Sequence, residues 1–169
     1  MIEPIKRSGF PLPPRGWPLV ALLAVFILAG LIGHDPWKND DAVTIGVVAD
    51  MLQRGHWLAP HLANRPYPDA PLYYWSAAVT GFAFSWLLPL HDAIRLASGF
   101  WVALILFLLY RAGREWHCNE EAPHEFAIAS VLAMAGCLGF LVHAHEAQPM
   151  LVALAGHAAA YWALALLPR

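Results

Sequence analysis

The sequence predicts an all-α integral membrane protein with about four transmembrane helices and two interfacial helices in a long first external loop. Hydrophobic residues make up 59% of the 169 residues and charged residues 13%, with a mean hydropathy of +0.51. Soluble domains carry about 45–50% apolar and about 25% charged residues. Several apolar runs also have lengths that suit a bilayer. The composition is therefore typical of a protein that is embedded in a lipid bilayer.

Four apolar runs are predicted to span the membrane. The first, 17–33, contains no charge and is roughly 17 residues long, which is near the lower limit for a span. Further spans follow it, so it is interpreted as a retained helix and not as a cleaved secretory signal. The polar residues 1–16 form a tail before it. The other three predicted spans are 94–110, 126–142 and 150–167.

Charge predicts the orientation. Basic residues concentrate in the tail, in the loop after the second span and at the C-terminus: Lys6, Arg7, Arg15, Arg111, Arg114 and Arg169. The loop 34–90 has a lower density of Lys and Arg. The positive-inside rule therefore places the N-terminus in the cytoplasm and the loop 34–90 outside, in the periplasm if the membrane is a bacterial inner membrane. The net charge of -2 is small and dispersed, so nothing in the sequence indicates a nucleic-acid surface.

Two helices are predicted within the loop. The first begins with Asn39 as its N-cap, carries Asp40 and Asp41 in its first turn, and ends near Gly55. Its apolar residues recur on one side, as in a helix that lies on a membrane surface: Val43, Val47, Val48, Met51 and Leu52. Residues 56–71 hold four prolines and are expected to form a loop. A second interfacial helix is predicted from Leu72 to Leu88.

Asp40 and Asp41 are the strongest candidates for chemistry. First-turn carboxylates commonly do no more than cap a helix and solvate its start. Alternatively, one of them is a general base or a metal-binding carboxylate that faces a lipid-borne substrate. Adjacent residues point about 100° apart on a helix, so only one of the two can face a reacting centre. The other would orient it or hold a metal.

Other polar groups have two interpretations each. The basic residues Arg54, His56, His61 and Arg65 either contact a phosphate or are solvated loop residues. The aromatic residues Tyr67, Tyr73, Tyr74 and Trp75 either stack on a sugar or anchor the chain at the interface. His143, His145, Glu146 and His157 either bind an ion or form a polar turn and a buried hydrogen bond. Glycine-rich phosphate loops, HExxH, nucleophile elbows and CxxC pairs are absent from the sequence.

Three ordered segments of the loop resemble a known family. They are W-K-N-D-D at 37–41, A-D-M-L-Q-R-G-H-W-L-A-P-H-L at 49–62 and R-P-Y-P-D-A-P-L-Y-Y-W at 65–75. This series resembles the first external loop of the C-type membrane glycosyltransferases, which include the aminoarabinose transferase of lipid A and the protein O-mannosyltransferases. The family pattern is W-x-x-D-E, then M-L-x-x-G-D-W-x-x-P, then Y-x-x-K-P-P-L-Y-x-W.

The resemblance implies transfer of a sugar from a polyprenyl-phosphate donor to a lipid, glycan or protein acceptor at the outer face of the membrane. The family's catalytic or metal-linked carboxylate falls on Asp40, with Asp41 in place of the glutamate. A divalent metal at Asp40 is the one cofactor implied. The expected substrate contacts are Arg65, His61 and Arg54 for the donor phosphate, with Tyr67 and Tyr74 for the sugar.

The chain also departs from the pattern. Asp69-Ala70-Pro71 stands where the family has K-P-P, so the lysine that would meet the donor phosphate is missing. Relatives often carry an aspartate where this chain has Gln148, and they are several times longer. We therefore expect the N-terminal portion of a transferase. One alternative is a non-catalytic relative that binds a lipid phosphate or partner helices, and another is a small ion-binding protein or transporter that uses the histidines at 143–157.

Overall fold

The computed structural model describes residues 16–167, and the predictions on Lys6, Arg7, Arg15 and Arg169 lie outside that range. Within it, seven α-helices and one two-stranded antiparallel hairpin follow one another along the chain. In chain order they are α1 (Trp17–Leu28), α2 (Asn39–Arg54), β1 (His61–Leu62), β2 (Arg65–Pro66), α3 (Leu72–Phe84), α4 (Leu90–Trp116), α5 (Pro123–Ala135), α6 (Leu138–His143) and α7 (Met150–Ala165). The helical fold is confirmed, with the small hairpin as an addition to the predicted all-α class.

Helix α4 is the centre of the fold, because α3, α5 and α7 all pack against it. It is 27 residues long, so it extends the predicted span 94–110 at both ends. Of the helices within residues 16–167, α4 alone combines the length and the apolar composition needed to cross a bilayer, while α1 and α7 are apolar but shorter. The other three spans stay predictions.

Two of the predicted spans are not continuous helices. Helix α1 ends at Leu28, and the following turns contain Gly30 and Gly33 with φ values of 90° and 92°, a region that favours glycine. The predicted span 126–142 is divided where Cys137 adopts an extended conformation between α5 and α6. Turns therefore interrupt the helices within these apolar segments, and hydropathy alone does not detect such breaks.

The long loop folds largely as predicted, with three differences. Helix α2 begins at Asn39 with Lys38 as its N-cap residue, so the prediction of Asn39 as the cap was wrong by one position. Helix α3 ends at Phe84, four residues before the predicted Leu88. The hairpin was not predicted, because its turn uses Ala63 and Asn64 at φ 50° and 67°, whereas Asn-Gly is the usual signal for such a turn.

Two apolar clusters lie on α4. The first joins α2, α3 and the start of α4, with Val47, Val48, Met51, Tyr73, Tyr74, Ala77, Ala78, Ile94, Ala97 and Ala147 as its buried residues. The second joins the middle of α4 to α5, α6 and α7, with Val102, Ile105, Leu106, Val131, Phe140, Ala144, Leu151 and Ala155. Helices α2 and α3 and the rest of the helix bundle thus share α4 as their support.

A fully buried arginine connects these parts. Arg95 of α4 is 0% exposed, and it donates from Nε and Nη2 to the two carboxylate oxygens of Asp41, at 3.2 and 2.6 Å. Its Nη1 donates to Asp92 Oδ1 at 3.1 Å and to the carbonyl of His34 at 2.6 Å. Asp92 Oδ2 also accepts the backbone N–H of Gly33 at 3.1 Å. The start of α2 and the segment before it are therefore bound to α4 by charge-assisted hydrogen bonds.

A second set of contacts attaches the segment before α7. Asp41 Oδ1 accepts the backbone N–H of Ala147 at 2.8 Å. Ser98 of α4 donates its hydroxyl proton to the carbonyl of Glu146, so the hydroxyl of Tyr73 must donate to Ser98 Oγ, at 2.6 Å. Lys38 forms an ion pair with the Glu146 carboxylate. Four segments thus meet at about two turns of α4, between Asp92 and Ser98.

We predict that Arg95→Met lowers the free energy of unfolding by about 3–5 kcal/mol, since it leaves buried carboxylates without their cation. Unfolding by denaturant in detergent micelles, followed by tryptophan fluorescence, measures this. Arg65→Met removes the same charge from an exposed side chain of β2 and should change stability by no more than about 0.5 kcal/mol. Equal stabilities of the two variants would show that the hydrogen bonds of Arg95 to Asp41 and Asp92 do not stabilise the fold.

Close packing between α4 and α5 gives a second prediction. A Cβ added at Gly113 would lie 2.9 Å from Ser130 Oγ and 3.0 Å from Ala127 Cα. Gly113→Leu should therefore destabilise the protein by about 1–3 kcal/mol or more. Gly156→Leu in α7 is the matched control: nothing lies within 4 Å of its added Cβ, so improved helix propensity should leave stability equal or higher. Thermal unfolding of both variants in detergent tests the comparison.

Candidate functional site

A cavity of about 530 Å³ lies where the first turn of α2, the segment before α3 and the start of α7 meet. Its polar lining comes from Asp40, Thr44, Tyr67, Asp69, Tyr73, Tyr74 and Gln148, and its apolar lining includes Leu72, Met150 and Val152. The predicted site residues Asp40, Tyr67 and Tyr74 are brought together here, although 34 residues separate the first from the last. This cavity is the candidate site.

The two adjacent aspartates face different surroundings. Asp40 is exposed and lines the cavity, whereas Asp41 is 1% exposed and outside the lining. Both Asp41 oxygens are occupied by Arg95, and one of them also by Ala147. The angle of about 100° between neighbours on a helix explains the division. Asp41 is thus held by the protein itself, and Asp40 is the carboxylate that a molecule in the cavity would meet; the catalytic roles of both stay predictions.

Three tyrosines form an aromatic wall of the cavity. The Tyr74 ring meets the rings of Tyr67 and Tyr73 edge to face, at centroid distances of 6.4 and 6.1 Å. Tyr74 also donates its hydroxyl hydrogen bond to Asp69 Oδ2 at 2.8 Å. Burial, and the neighbouring Asp69 carboxylate, hold the pKa of Tyr74 well above its usual value of 10. The phenol therefore stays protonated at physiological pH and acts as a hydrogen-bond donor.

The predicted phosphate contacts lie elsewhere on the loop. Arg54 pairs with Asp50 at 3.4 Å, and His56 Nδ1 donates to the same carboxylate at 2.7 Å, a hydrogen bond that lowers the pKa of Asp50. His61 stacks on His56 with ring centroids 4.2 Å apart, and Arg65 is exposed on β2. Among the described residues, no Lys, Arg or His lines the cavity. Phosphate binding by Arg54, His61 and Arg65 stays a prediction.

The histidines near α7 are engaged in local contacts. His145 Nε2 donates to the carbonyl of Phe26 at 2.6 Å, and His157 Nδ1 donates to that of Ala153 at 2.7 Å. His143 Nδ1 lies 3.8 Å from the Glu146 carboxylate, which Lys38 also contacts. His145 thus attaches the turn between α6 and α7 to α1, whereas His157 bonds within its own helix.

A metal ion at Asp40 would need further ligands from the side chains that line the cavity. Asp40, Asp69, Thr44 and Gln148 offer the oxygen atoms that hard divalent cations prefer. Within residues 16–167, however, no group of three or more His, Cys, Asp or Glu side chains is arranged to hold a metal ion. A divalent metal at Asp40 therefore stays a prediction, and no chemical step is assigned to one.

Sequence reasoning did not identify Arg95 or Asp69 as site-forming residues. Arg95 falls at the start of the predicted span 94–110, where the sequence gives it no role. Its spacing of three residues from Asp92, next to an apolar run, was the available signal, because ionisable groups beside or within a span are costly unless they are paired. Asp69 had been noted only as a departure from the family pattern.

Comparison with known proteins gives a consistent set of relatives. The chain is 33% identical over 94 residues to the undecaprenyl phosphate-alpha-4-amino-4-deoxy-L-arabinose arabinosyl transferase of Pectobacterium atrosepticum, a match that covers 54% of this chain and 16% of the relative. It is 32% identical over 107 residues to the protein of the same name from Photorhabdus laumondii, covering 62% and 19%. A similar protein of Sodalis glossinidius is 26% identical over 140 residues, covering 80% and 24%.

These matches span between about a sixth and a quarter of the length of the relatives. No family model matches the chain, and no solved structure matches it. The relatives are transferases whose names state a sugar carried on undecaprenyl phosphate. The resemblance to the lipid-linked-sugar glycosyltransferases, drawn from residues 37–75, is thereby confirmed at modest identity over part of the chain.

Proposed function

We propose that this chain forms part of a membrane glycosyltransferase that moves a sugar from a polyprenyl-phosphate donor to an acceptor at the outer face of a bacterial inner membrane. The observation that carries the proposal is the cavity in which Asp40 faces an aromatic wall while Asp41 is fixed behind it. The names of the relatives support the donor class. A donor with 4-amino-4-deoxy-L-arabinose on undecaprenyl phosphate is the first to test.

Asp40 acts in this proposal as the general base. Its carboxylate takes the proton from an acceptor hydroxyl or amine as that atom bonds to the anomeric carbon of the sugar. The bond from that carbon to the phosphate oxygen breaks, and polyprenyl phosphate leaves with the electron pair. The exposed position of Asp40 at the start of α2 lets it meet an acceptor directly.

The tyrosines and Asp69 provide the sugar-binding part. Aromatic rings offer flat apolar surface to a sugar ring, and the protonated Tyr74 hydroxyl fixes the orientation of the Asp69 carboxylate. A leaving phosphate needs cationic stabilisation, which the described cavity lining does not contain. In the proposal it comes from Arg54, His61 or Arg65 after loop closure, or from the parts of longer relatives that this chain does not match.

The proposed membrane placement has α4 crossing the bilayer, with α2 and α3 on its outer surface. The exposed apolar side chains of Val79 and Phe82 on α3 suit contact with lipid. Trp75 near the start of α3 and Trp86 just after its end suit the membrane interface. This arrangement opens the cavity at the depth where a polyprenyl phosphate headgroup lies.

We predict that Asp40→Asn lowers sugar transfer by about 10²–10⁴-fold, since it removes the base and keeps the shape of the side chain. Transfer from the undecaprenyl-phosphate donor is measured in membranes that contain the protein at equal amounts. Asp35→Asn is the matched control, because Asp35 is exposed in the same loop and does not line the cavity. It should retain full transfer.

A second candidate is the non-catalytic relative that binds a lipid phosphate or partner helices. The absence of basic groups from the described cavity lining favours it. Under this candidate, neither Asp40→Asn nor wild type transfers sugar, and both retain the same affinity for polyprenyl phosphate. Transfer by wild type with an unimpaired Asp40→Asn variant would reject the role given to Asp40.

A further inference from the structure

The end of α4 furthest from the cavity holds a second cation in an aromatic setting. Arg111 is half-buried, and its guanidinium carbon lies 4.7 Å from the centre of the Trp162 ring in α7 and 5.9 Å from that of Phe107. A guanidinium held over an indole face by a cation–π contact keeps N–H groups that the ring does not satisfy.

This arginine lacks an anionic partner among residues 16–167, where the ion pairs involve other side chains. Glu115, one helical turn further along α4, forms no ion pair with it, and Glu120 and Glu121 are exposed in the following loop. In the same part of the chain, Arg111 Nε and Trp162 Nε1 are buried without a hydrogen-bond partner.

Two buried donors without acceptors are costly, at about 1–3 kcal/mol each. Arginine and the indole N–H can only donate, so neither can satisfy the other. The missing component is therefore an acceptor, and the positive charge of Arg111 favours an anionic one. Phosphate oxygens match both requirements, since they accept several hydrogen bonds and pair with the guanidinium fork.

The depth of the cluster identifies the source of the phosphate. Asp92, which pairs with Arg95, and Arg111 are 19 residues apart on α4, which is about 28 Å at 1.5 Å per residue. The hydrocarbon core of a bilayer is about 30 Å thick. If α4 spans, Arg111 lies at the headgroup level of the opposite leaflet, where the stacked rings of Trp116 and Tyr161 suit an interfacial aromatic belt.

We propose that Arg111 and Trp162 bind the phosphate of an anionic phospholipid in the leaflet opposite the cavity. The guanidinium donates to the phosphate oxygens, and the indole N–H donates to a phosphate or ester oxygen of the same headgroup. This inference rests on the membrane placement of α4 within the proposed function and is independent of the sugar-transfer chemistry.

The test is lipid binding by the delipidated full chain in detergent, measured by native mass spectrometry. Phosphatidylglycerol should bind in preference to phosphatidylcholine, and Arg111→Met should weaken that binding by about tenfold, as expected for loss of a charge-assisted pair. Arg114→Met is the matched control, because it removes the same charge three residues later from an exposed side chain. It should change the affinity by less than about twofold.

Trp162→Phe provides a second variant, which keeps an aromatic face and removes only the N–H donor. It should weaken phosphatidylglycerol binding several-fold at an unchanged melting temperature, so the proposal is still tested if Arg111→Met fails to fold. Equal losses in the Arg111 and Arg114 variants would show non-specific attraction and overturn the proposal. So would inorganic phosphate that competes fully with the lipid, since the site would then take free phosphate. Intact lipid binding without sugar transfer would contradict only the proposed function.

Discussion

The pairing of Arg95 with Asp41 is the interaction on which the rest of the structure depends. A guanidinium keeps its charge at any physiological pH, so an arginine with no exposed surface must be compensated where it stands. Asp41 and Asp92 provide that compensation from two elements. The same hydrogen bonds fix the start of α2, the turn after α1 and the segment before α7 against one turn of α4. Because the buried charge of Arg95 must be compensated, its partners have to lie at fixed positions, and this positions the segments that carry them.

This geometry gives two neighbouring carboxylates different surroundings. Asp41 accepts hydrogen bonds on both oxygens in a buried site, while Asp40 remains open to the cavity. In the proposed function, this difference separates a structural carboxylate from the reactive one. The aromatic wall is held by the same device, because Tyr73 reaches the network through Ser98. The hydrogen bonds that hold the helices together therefore also position the cavity lining, and Asp40 is exposed at the edge of this arrangement.

Much of this could be predicted from the sequence because it depends on local patterns. The one-sided spacing of apolar residues gave α2 and α3, and the helical angle between neighbours predicted that only one of Asp40 and Asp41 could face a substrate. The partner of Asp41 could not be found in this way, since Arg95 is 54 residues distant and contact across that separation has no local signature. The break before α6 was likewise hidden, because its residues are as apolar as the helices on either side.

The short hairpin has a consequence of a different kind. Its tip, Ala63 and Asn64, is exposed and strained into the left-handed region, whereas both ends of the long loop are pinned to α4. Changes in loop length are thus tolerated at the tip and excluded within the first turn of α2, where loss of one residue would turn the register by about 100° and exchange the surroundings of Asp40 and Asp41. Insertions and deletions among natural sequences of this type should therefore accumulate at the hairpin, whereas the first turn of α2 should keep its length.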